Sequence, residues 1–240
     1  MESQIAQMFR VMDQYYEKVT EETFRKDLGE KQKAILLLDA DGLIKGFSTI
    51  LQTSLTSGGR SFIALYSGDT VLEKEYWGNG ALATAFVFYL VEVKLRQPFT
   101  PVYWFLISKG YKTYLLMANN FPTHYPRYEQ ATPPALQKIM DCFYFQRFGN
   151  AYNADEGLIR FENNKASYVR GQVAEINADG RRNPRISYFE KSNPHWMQGV
   201  ELACVAKVSL WMPIRYFIKQ GLKAFSRKEK NLSIAVRKNS

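Results

Sequence analysis

The sequence has few of the residues with which proteins hold metals or cross-link their chains. Its 240 residues include 2 cysteines and 2 histidines. Cys142 and Cys204 lack the spacing of a zinc site or of a disulfide framework, and His124 and His195 stand in no ligand pattern. We therefore expect no bound metal and two reduced thiols, as is usual in a cytoplasmic protein.

Long hydrophobic runs are also missing. No apolar stretch approaches the roughly 20 residues of a membrane-spanning helix. The first residues lack a basic start followed by an apolar stretch, so we expect no signal peptide. Apolar residues nevertheless make up 46% of the chain and aromatic residues 15%, which favours a folded protein over a disordered one.

The basic excess is confined to one end of the chain. Residues 1–160 hold 17 Lys+Arg and 17 Asp+Glu, whereas residues 161–240 hold 15 and 6. The segment from Leu210 to Lys230 has helical spacing, with Trp and Phe on one side and basic residues between them. This pattern predicts a basic amphipathic helix that either packs on the protein or rests on an anionic membrane surface, such as the inner membrane face. Nucleic acid is disfavoured as a partner because no reading module is recognisable.

The periodicity of the sequence predicts alternating helices and strands. In chain order these are an amphipathic helix at the start, a helix around Glu21 to Leu28, a hairpin of Ala34–Leu38 and Leu43–Leu51, a strand Ser61–Leu72, a helix from Ala81, a helix Pro101–Ser108, a strand Tyr111–Ala118, a helix Pro134–Phe148, and short strands and turns over 157–210.

A glycine loop joins the strand that ends at Leu72 to the helix that begins at Ala81. Glycines let a backbone approach an anion closely, and the amides at a helix amino terminus favour phosphate oxygens. The residues from Gly78 to Ala83 also satisfy the loose dinucleotide pattern G-x-G-x-x-A. A dinucleotide site is disfavoured because the loop follows a hairpin and a third strand, and because no carboxylate lies between Glu92 and Glu129 to hold a ribose.

The predicted order helix–helix–hairpin–strand–glycine loop–helix–strand resembles the GNAT superfamily of acyltransferases. The pyrophosphate loop of that family is Q/R-x-x-G-x-G/A, and Glu75-Tyr76-Trp77-Gly78-Asn79-Gly80 matches it except at the first position. The resemblance covers residues 1–160, so that 161–240 would be a basic C-terminal extension packed on this core. It implies an α/β fold with a mixed, mostly antiparallel central sheet flanked by helices.

The resemblance also implies a donor and a reaction. Backbone amides of the loop would hold the pyrophosphate of coenzyme A (CoA), or the phosphate of phosphopantetheine on an acyl carrier protein; the residues concerned are Trp77, Gly78, Asn79, Gly80, Ala81 and Leu82. The acyl group would pass from the thioester to an amine, such as an amino acid. The loop from Asn119 to Tyr128 looks more like those of the N-acyl amino acid synthases and acyl-homoserine lactone synthases.

A second interpretation stays open. Glu75 replaces the usual Gln or Arg of the loop, and the usual Asn-x-x-Ala-x-x-x-Tyr run after the next strand is missing. Both departures favour a non-catalytic protein, bound to a membrane or to a partner, that has kept an acyltransferase-like fold.

Acyl transfer to an amine needs a base for the amine proton and an acid for the leaving thiolate. Asp69 and Glu73 lie near the end of the strand that would flank the thioester, and strand alternation places them on the same side. Tyr125 and Tyr128 are the candidate acids, because a phenol can donate to a thiolate. His124 in the same loop is a further candidate base.

Overall fold

The computed structural model describes residues 2–17, 19–77, 80–161, 168–169, 176–212, 216 and 218. Its helices are α1 Glu2–Tyr15, α2 Glu21–Gly29, α3 Ala81–Arg96, α4 Tyr111–Asn120, α5 Pro134–Phe148, α6 Ala178–Arg181 and α7 Pro184–Ser192. Its strands are β1 Tyr16–Glu17, β2 Lys33–Leu38, β3 Ile44–Ser57, β4 Arg60–Leu72, β5 Val102–Ser108, β6 His124–Tyr125, β7 Tyr152–Asn153, β8 Leu158–Ile159, β9 Tyr168–Val169 and β10 Glu201–Lys207.

Eight of the strands form one central sheet. Its order is β2-β3-β4-β5-β10-β8-β7, with β6 also pairing with β10. Neighbouring strands are antiparallel except β4 and β5, which are parallel. The predicted fold class, an α/β protein with a mixed and mostly antiparallel sheet flanked by helices, is confirmed.

The two faces of the sheet bury alternate residues of the same strands. On β4, Ile63 and Leu65 pack in the cluster that contains α3, α4 and α7, while Phe62 and Ala64 pack in the cluster that contains α5. A third cluster joins α1 and α2 to β3, with Phe47 fully buried. The central strands are therefore covered on both faces, which explains their continuous apolar runs.

Local chemistry accounts for the elements that the sequence predicted correctly. Thr20 caps α2, because its side chain accepts from the backbone N–H of Thr23 at 3.1 Å and the Thr23 hydroxyl accepts from the backbone N–H of Thr20 in return. In the hairpin turn, an Asp39 side-chain oxygen accepts from the backbone N–H of Leu43 at 2.9 Å. Gly42 completes this turn with a φ of 77°, which glycine adopts without strain.

Two predicted elements have the opposite structure. Pro101–Ser108 was predicted to be helical and contains β5, whereas Tyr111–Ala118 was predicted to be a strand and lies in α4. The residues of β5 are almost all buried, so their continuous apolar run carries no period that separates strand from helix. On α4 the buried residues are Tyr114, Met117 and Ala118, whose spacing of three and four is helical.

The last third of the chain contributes to the central sheet. β10 pairs with β5 on one side and with β8 on the other, so the sheet includes a strand from beyond residue 160. Residues 157–210, predicted as short strands and turns, also contain helices α6 and α7. Asn183 caps α7, and Pro184 begins it.

Most of the predicted basic helix, Leu210 to Lys230, lies outside the described residues. Within the part of the chain that is described, no helix has the length and apolar character needed to cross a membrane.

Candidate functional site

The central cleft forms where β4 and β5 diverge. These strands pair from Ile63 and Val102 up to Tyr66 and Phe105. Beyond that point β4 continues beside β3 as far as Leu72, and β5 continues beside β10. Among the described strands none pairs with the β5-facing edge of β4 after Tyr66, so its backbone groups border a cleft of about 400 Å³.

A β-bulge turns β4 at the base of this cleft. Thr49 on β3 lies opposite two residues, Gly68 and Asp69, because the register shifts between the pairs on either side of it. A Cβ atom on Gly68 would lie 2.6 Å from Thr49 Oγ1 and 2.9 Å from Lys31 Cε. A larger residue would have to displace one of these side chains, and the next residue of the bulge, Asp69, lines the cleft.

The partly buried carboxyl group of Asp69 and the buried carboxyl group of Glu201 line the cleft. Burial, with a smaller contribution from Asp27, raises the pKa of Asp69 to about 6. Burial also raises the pKa of Glu201 to about 7, against the opposing effect of Lys109, whose Nζ atom lies 3.4 Å from Glu201 Oε1. Each carboxyl group therefore exchanges its proton close to neutral pH, as a catalytic acid or base must.

Two tyrosine side chains complete the polar wall. Tyr16 and Tyr66 line the same cleft as Asp69 and Glu201. Burial raises the pKa of both phenols, and the charges of Asp69 and Glu201 raise it further. Both phenols therefore stay protonated at neutral pH and are able to donate a hydrogen bond.

One residue of the predicted phosphate loop, Trp77, lines the cleft. Trp77 is 58% exposed and donates from Nε1 to the carbonyl oxygen of Leu72 at 2.7 Å. Gly80 has a φ of 76° and is the N-cap residue of α3. Ala81 and Leu82 form the first turn of α3, with Leu82 buried. Gly78 and Asn79 lie outside the described residues.

The structure brings only one of the five predicted catalytic residues to the cleft, namely Asp69. Glu73 is not part of the cleft wall, and its carboxylate pairs with Lys45 Nζ at 3.4 Å. Glu73 lies one residue beyond the end of β4, which is Leu72.

The other three lie further away. His124 and Tyr125 form β6, which pairs with β10 at Ala206 and Val205. Val205 is four residues from Glu201, or about 13 Å along the strand. Tyr125 is packed in the core beside α5 and accepts a hydrogen bond from Gln130. Tyr128 is 46% exposed, and His124 lines a different cavity.

Sequence reasoning missed Glu201, Lys109, Tyr16 and Tyr66. One signal was available: Glu201 is an acid directly before the apolar run that begins at Leu202. Because a carboxylate is seldom fully buried without a partner, an acid in such a run indicates a paired or functional group. Tyr16 was counted only as part of the amphipathic first helix. Among the described residues, no group of three or more His, Cys, Asp or Glu side chains is placed to hold a metal ion.

The fold and the cleft define a mixed α/β protein in which the one parallel pair among the described strands opens at the centre of the large sheet. No family model matches the sequence, and no curated protein matches it. The fold is similar in part to that of a conserved protein of unknown function from Enterococcus faecalis, described as a probable N-acyltransferase. That likeness has 18% identity and a TM-score of 0.38, and it covers 48% of this chain and 29% of the other.

Two further solved structures are similar over a comparable part of the chain. For an acetyltransferase of Trypanosoma brucei the identity is 18% and the TM-score 0.33, with 48% of this chain and 81% of that one covered. For a GNAT-family N-acetyltransferase of Escherichia coli, solved in complex with CoA, the identity is 16% and the TM-score 0.28, with 46% of this chain and 61% of that one covered. At such identities and TM-scores the similarity is limited to part of the fold.

Proposed function

We propose that this protein transfers an acyl group from a thioester donor to an amine, with the central cleft as its active site. The single observation that carries the proposal is the divergence of β4 from β5 beside a bulge whose carboxyl group, Asp69, is partly buried and has a raised pKa. An extended pantetheine arm fits this geometry, because the unpaired edge of β4 offers it backbone hydrogen bonds as an added strand would have.

The donor's phosphates would lie at the mouth of the cleft. α3 begins after Gly80, three residues beyond Trp77 of the cleft wall, and its first N–H groups and the helix dipole favour an anion. Lys109 and Lys112 also line the cleft. CoA and the phosphopantetheine of a carrier protein both carry phosphate at the end of the arm, and either serves as the donor in this proposal.

Asp69 is the proposed base. Its pKa of about 6 leaves it mainly ionised at neutral pH, as a general base requires. The acceptor nitrogen attacks the thioester carbonyl carbon, and a C–N bond forms as the C–S bond breaks. The nitrogen gives its proton to the carboxylate of Asp69, and the thiolate takes a proton from the phenol of Tyr16. The carboxyl group then returns its proton to the phenolate, so the products are an amide and a thiol.

Glu201 is proposed to hold the acceptor amine. It is buried at the same wall and is bound by Lys109, so an incoming ammonium or amine meets two carboxyl groups and two phenols. The acceptor class that fits such a wall is a small primary amine, including an amino acid. A membrane-associated protein that binds thioesters without turnover is the alternative, and the experiment below separates the two.

The test compares two carboxyl variants that the structure distinguishes. Purified protein would be mixed with acetyl-CoA or a long-chain acyl-CoA and a pool of amines, and release of free thiol and N-acyl products would be measured. Asp69→Asn should lower turnover about 100-fold or more while donor binding is kept, as expected when a general base is lost. Glu73→Gln should behave like the wild type, because Glu73 lies outside the cleft wall.

Three results would contradict parts of this proposal. Binding of no acyl-CoA and no acyl-carrier protein would exclude the thioester site. Binding without turnover in the wild type would favour the non-catalytic alternative. Equal turnover in Asp69→Asn and wild type would exclude Asp69 as the base.

A further inference from the structure

A second cavity lies at the carboxyl end of α4. Its volume is about 430 Å³, and its wall includes Asn119, Phe121, His124, Arg127 and Arg185. It shares no wall residue with the central cleft. The reaction proposed above uses none of these side chains, so their arrangement needs a separate explanation.

His124, which lines this cavity, has an unused hydrogen-bond acceptor. The ring is 2% exposed, and its Nδ1 lies 2.7 Å from the carbonyl oxygen of Phe121. A carbonyl oxygen only accepts, so Nδ1 carries the hydrogen and the neutral ring keeps a lone pair on Nε2. That Nε2 atom is buried and has no hydrogen-bond partner among the described residues.

The histidine stays neutral at ordinary pH. Burial lowers its pKa most, and the charges of Arg127 and Arg185 lower it further, against the opposing effects of the Phe121 carbonyl and Glu129. Nε2 therefore remains an acceptor. A buried acceptor without a partner destabilises the folded protein, so a ligand that donates a hydrogen bond to it is favoured.

Two guanidinium groups share one carboxylate at the same cavity. Arg127 donates from Nε to Glu129 at 2.9 Å and from Nη1 to the carbonyl oxygen of Pro122 at 3.0 Å. Arg185 donates from Nη1 to Asn119 Oδ1 at 2.6 Å, and its Nη2 lies 3.9 Å from Glu129 Oε1. One positive charge is left over, which attracts an anion.

We propose that this cavity binds a phosphate group that keeps one hydrogen. Arginine forks match the oxygens of phosphate, and the remaining P–O–H group would donate to His124 Nε2. A sulfate or a carboxylate offers oxygens to the arginines but has no hydrogen for the histidine. The ligand class is therefore monohydrogen phosphate or a singly protonated phosphate monoester, and this inference does not depend on the acyl-transfer proposal.

The first test sets phosphate against sulfate on the full chain. At equal ionic strength, and at a pH where both ions carry two charges, phosphate should bind at least about tenfold more tightly by calorimetry, because sulfate would place a lone pair against a lone pair. Arg185→Gln should weaken phosphate binding by about tenfold or more. Arg182→Gln is the matched control, since Arg182 is exposed and pairs with Asp179 outside the cavity.

Equal affinity for the two ions would overturn the proposal, as would phosphate binding that Arg185→Gln leaves unchanged. Either result would mean that the ions are attracted by charge alone.

A second measurement needs no variant of the cavity. The chain has two histidines, so nitrogen NMR of the imidazoles, with His195→Gln to assign the pair, reports on His124 directly. Added phosphate should shift its Nε2 resonance and sulfate should not. An unmoved resonance at saturating phosphate contradicts the site.

The phosphate has two possible sources, which a competition distinguishes. CoA carries a phosphate monoester on its ribose, and dephospho-CoA lacks it. Displacement of bound phosphate by CoA but not by dephospho-CoA would identify the monoester of the donor as the ligand. Phosphate binding that neither compound disturbs would identify free phosphate. Both results support the phosphate site itself.

Discussion

At the scale of single residues, Gly68 in the β4 bulge leaves little room for a larger side chain. A methyl group there would approach Thr49 and Lys31 within 3 Å, and Lys31 is itself buried and paired with Asp27 at 2.7 Å. Gly68→Ala should lower the free energy of unfolding by about 1 to 3 kcal/mol, as overpacking does. Urea unfolding measures this change. Gly29→Ala is the control, since a Cβ atom at Gly29 meets nothing within 4 Å; equal effects of the two variants would contradict the close packing of the bulge.

The raised pKa values of Asp69 and Glu201 make a prediction about pH. The pKa of Asp69 rises from 3.8 to about 6, and that of Glu201 from 4.5 to about 7. Because both folded pKa values exceed the unfolded ones, the folded protein holds these protons more tightly. The stability they give is full below about pH 4 and is lost as the pH rises to 7, with a slope of at most about 1.4 kcal/mol per pH unit for each group.

Neutral variants should remove this pH dependence. Asp69→Asn and Glu201→Gln are each expected to flatten the fall of unfolding free energy between about pH 4 and 7, measured by urea unfolding at a series of pH values. Glu92→Gln, at the exposed pair with Arg96, should leave the curve unchanged. A wild-type curve that rises over this range, with both variants parallel to it, would show that the two carboxyl groups are not buried in the folded protein.

At the scale of elements, the end of α1 contacts the chain at the start of the predicted phosphate loop. The Tyr15 hydroxyl at the end of α1 accepts from the backbone N–H of Lys74 at 2.8 Å, and its ring lies 6.4 Å from that of Trp77. If the loop binds the donor as proposed, Tyr15→Phe should weaken CoA binding by about two- to tenfold, since one hydrogen bond that positions the loop is lost. Tyr128→Phe, an exposed tyrosine outside the cleft, serves as the control in the same titration. Unchanged affinity in Tyr15→Phe would show that α1 does not position the loop.

The elements also show what the sequence alone could predict. Amphipathic segments with clear ends were correct: α5 was predicted as Pro134–Phe148 and has those bounds. β5 was predicted as a helix and α4 as a strand, because a strand buried on both faces and a short aromatic helix have similar compositions. The candidate site was predicted only where it is local in sequence, at Asp69 and the loop. Glu201 and Tyr16 escaped because β10 and the first residues of the chain reach the cleft only in the folded sheet.

At the scale of the whole molecule, β10 makes the sheet of residues 1–160 depend on a strand from later in the chain. It lies between β5 and β8 in the sheet, and its Leu202, Ala203, Cys204, Val205 and Ala206 are buried. A chain of residues 1–160, the core that the sequence predicted, lacks this strand. The lost burial, about 1.5 to 3 kcal/mol for a large apolar side chain, and the lost ladders on both sides are comparable with a whole domain's stability of about 5 to 15 kcal/mol.

We therefore expect the 1–160 fragment to show no cooperative unfolding transition by circular dichroism, whereas the full chain should show one. Ala203→Pro in the full chain tests the same dependence with a single substitution, because it removes the backbone donor to the Gly157 carbonyl oxygen in a strand that is bonded on both sides. This variant should lose most of its stability, measured as a large fall in the urea midpoint. A fragment that unfolds cooperatively, together with a stable Ala203→Pro variant, would mean that β10 is dispensable and that residues 1–160 fold by themselves.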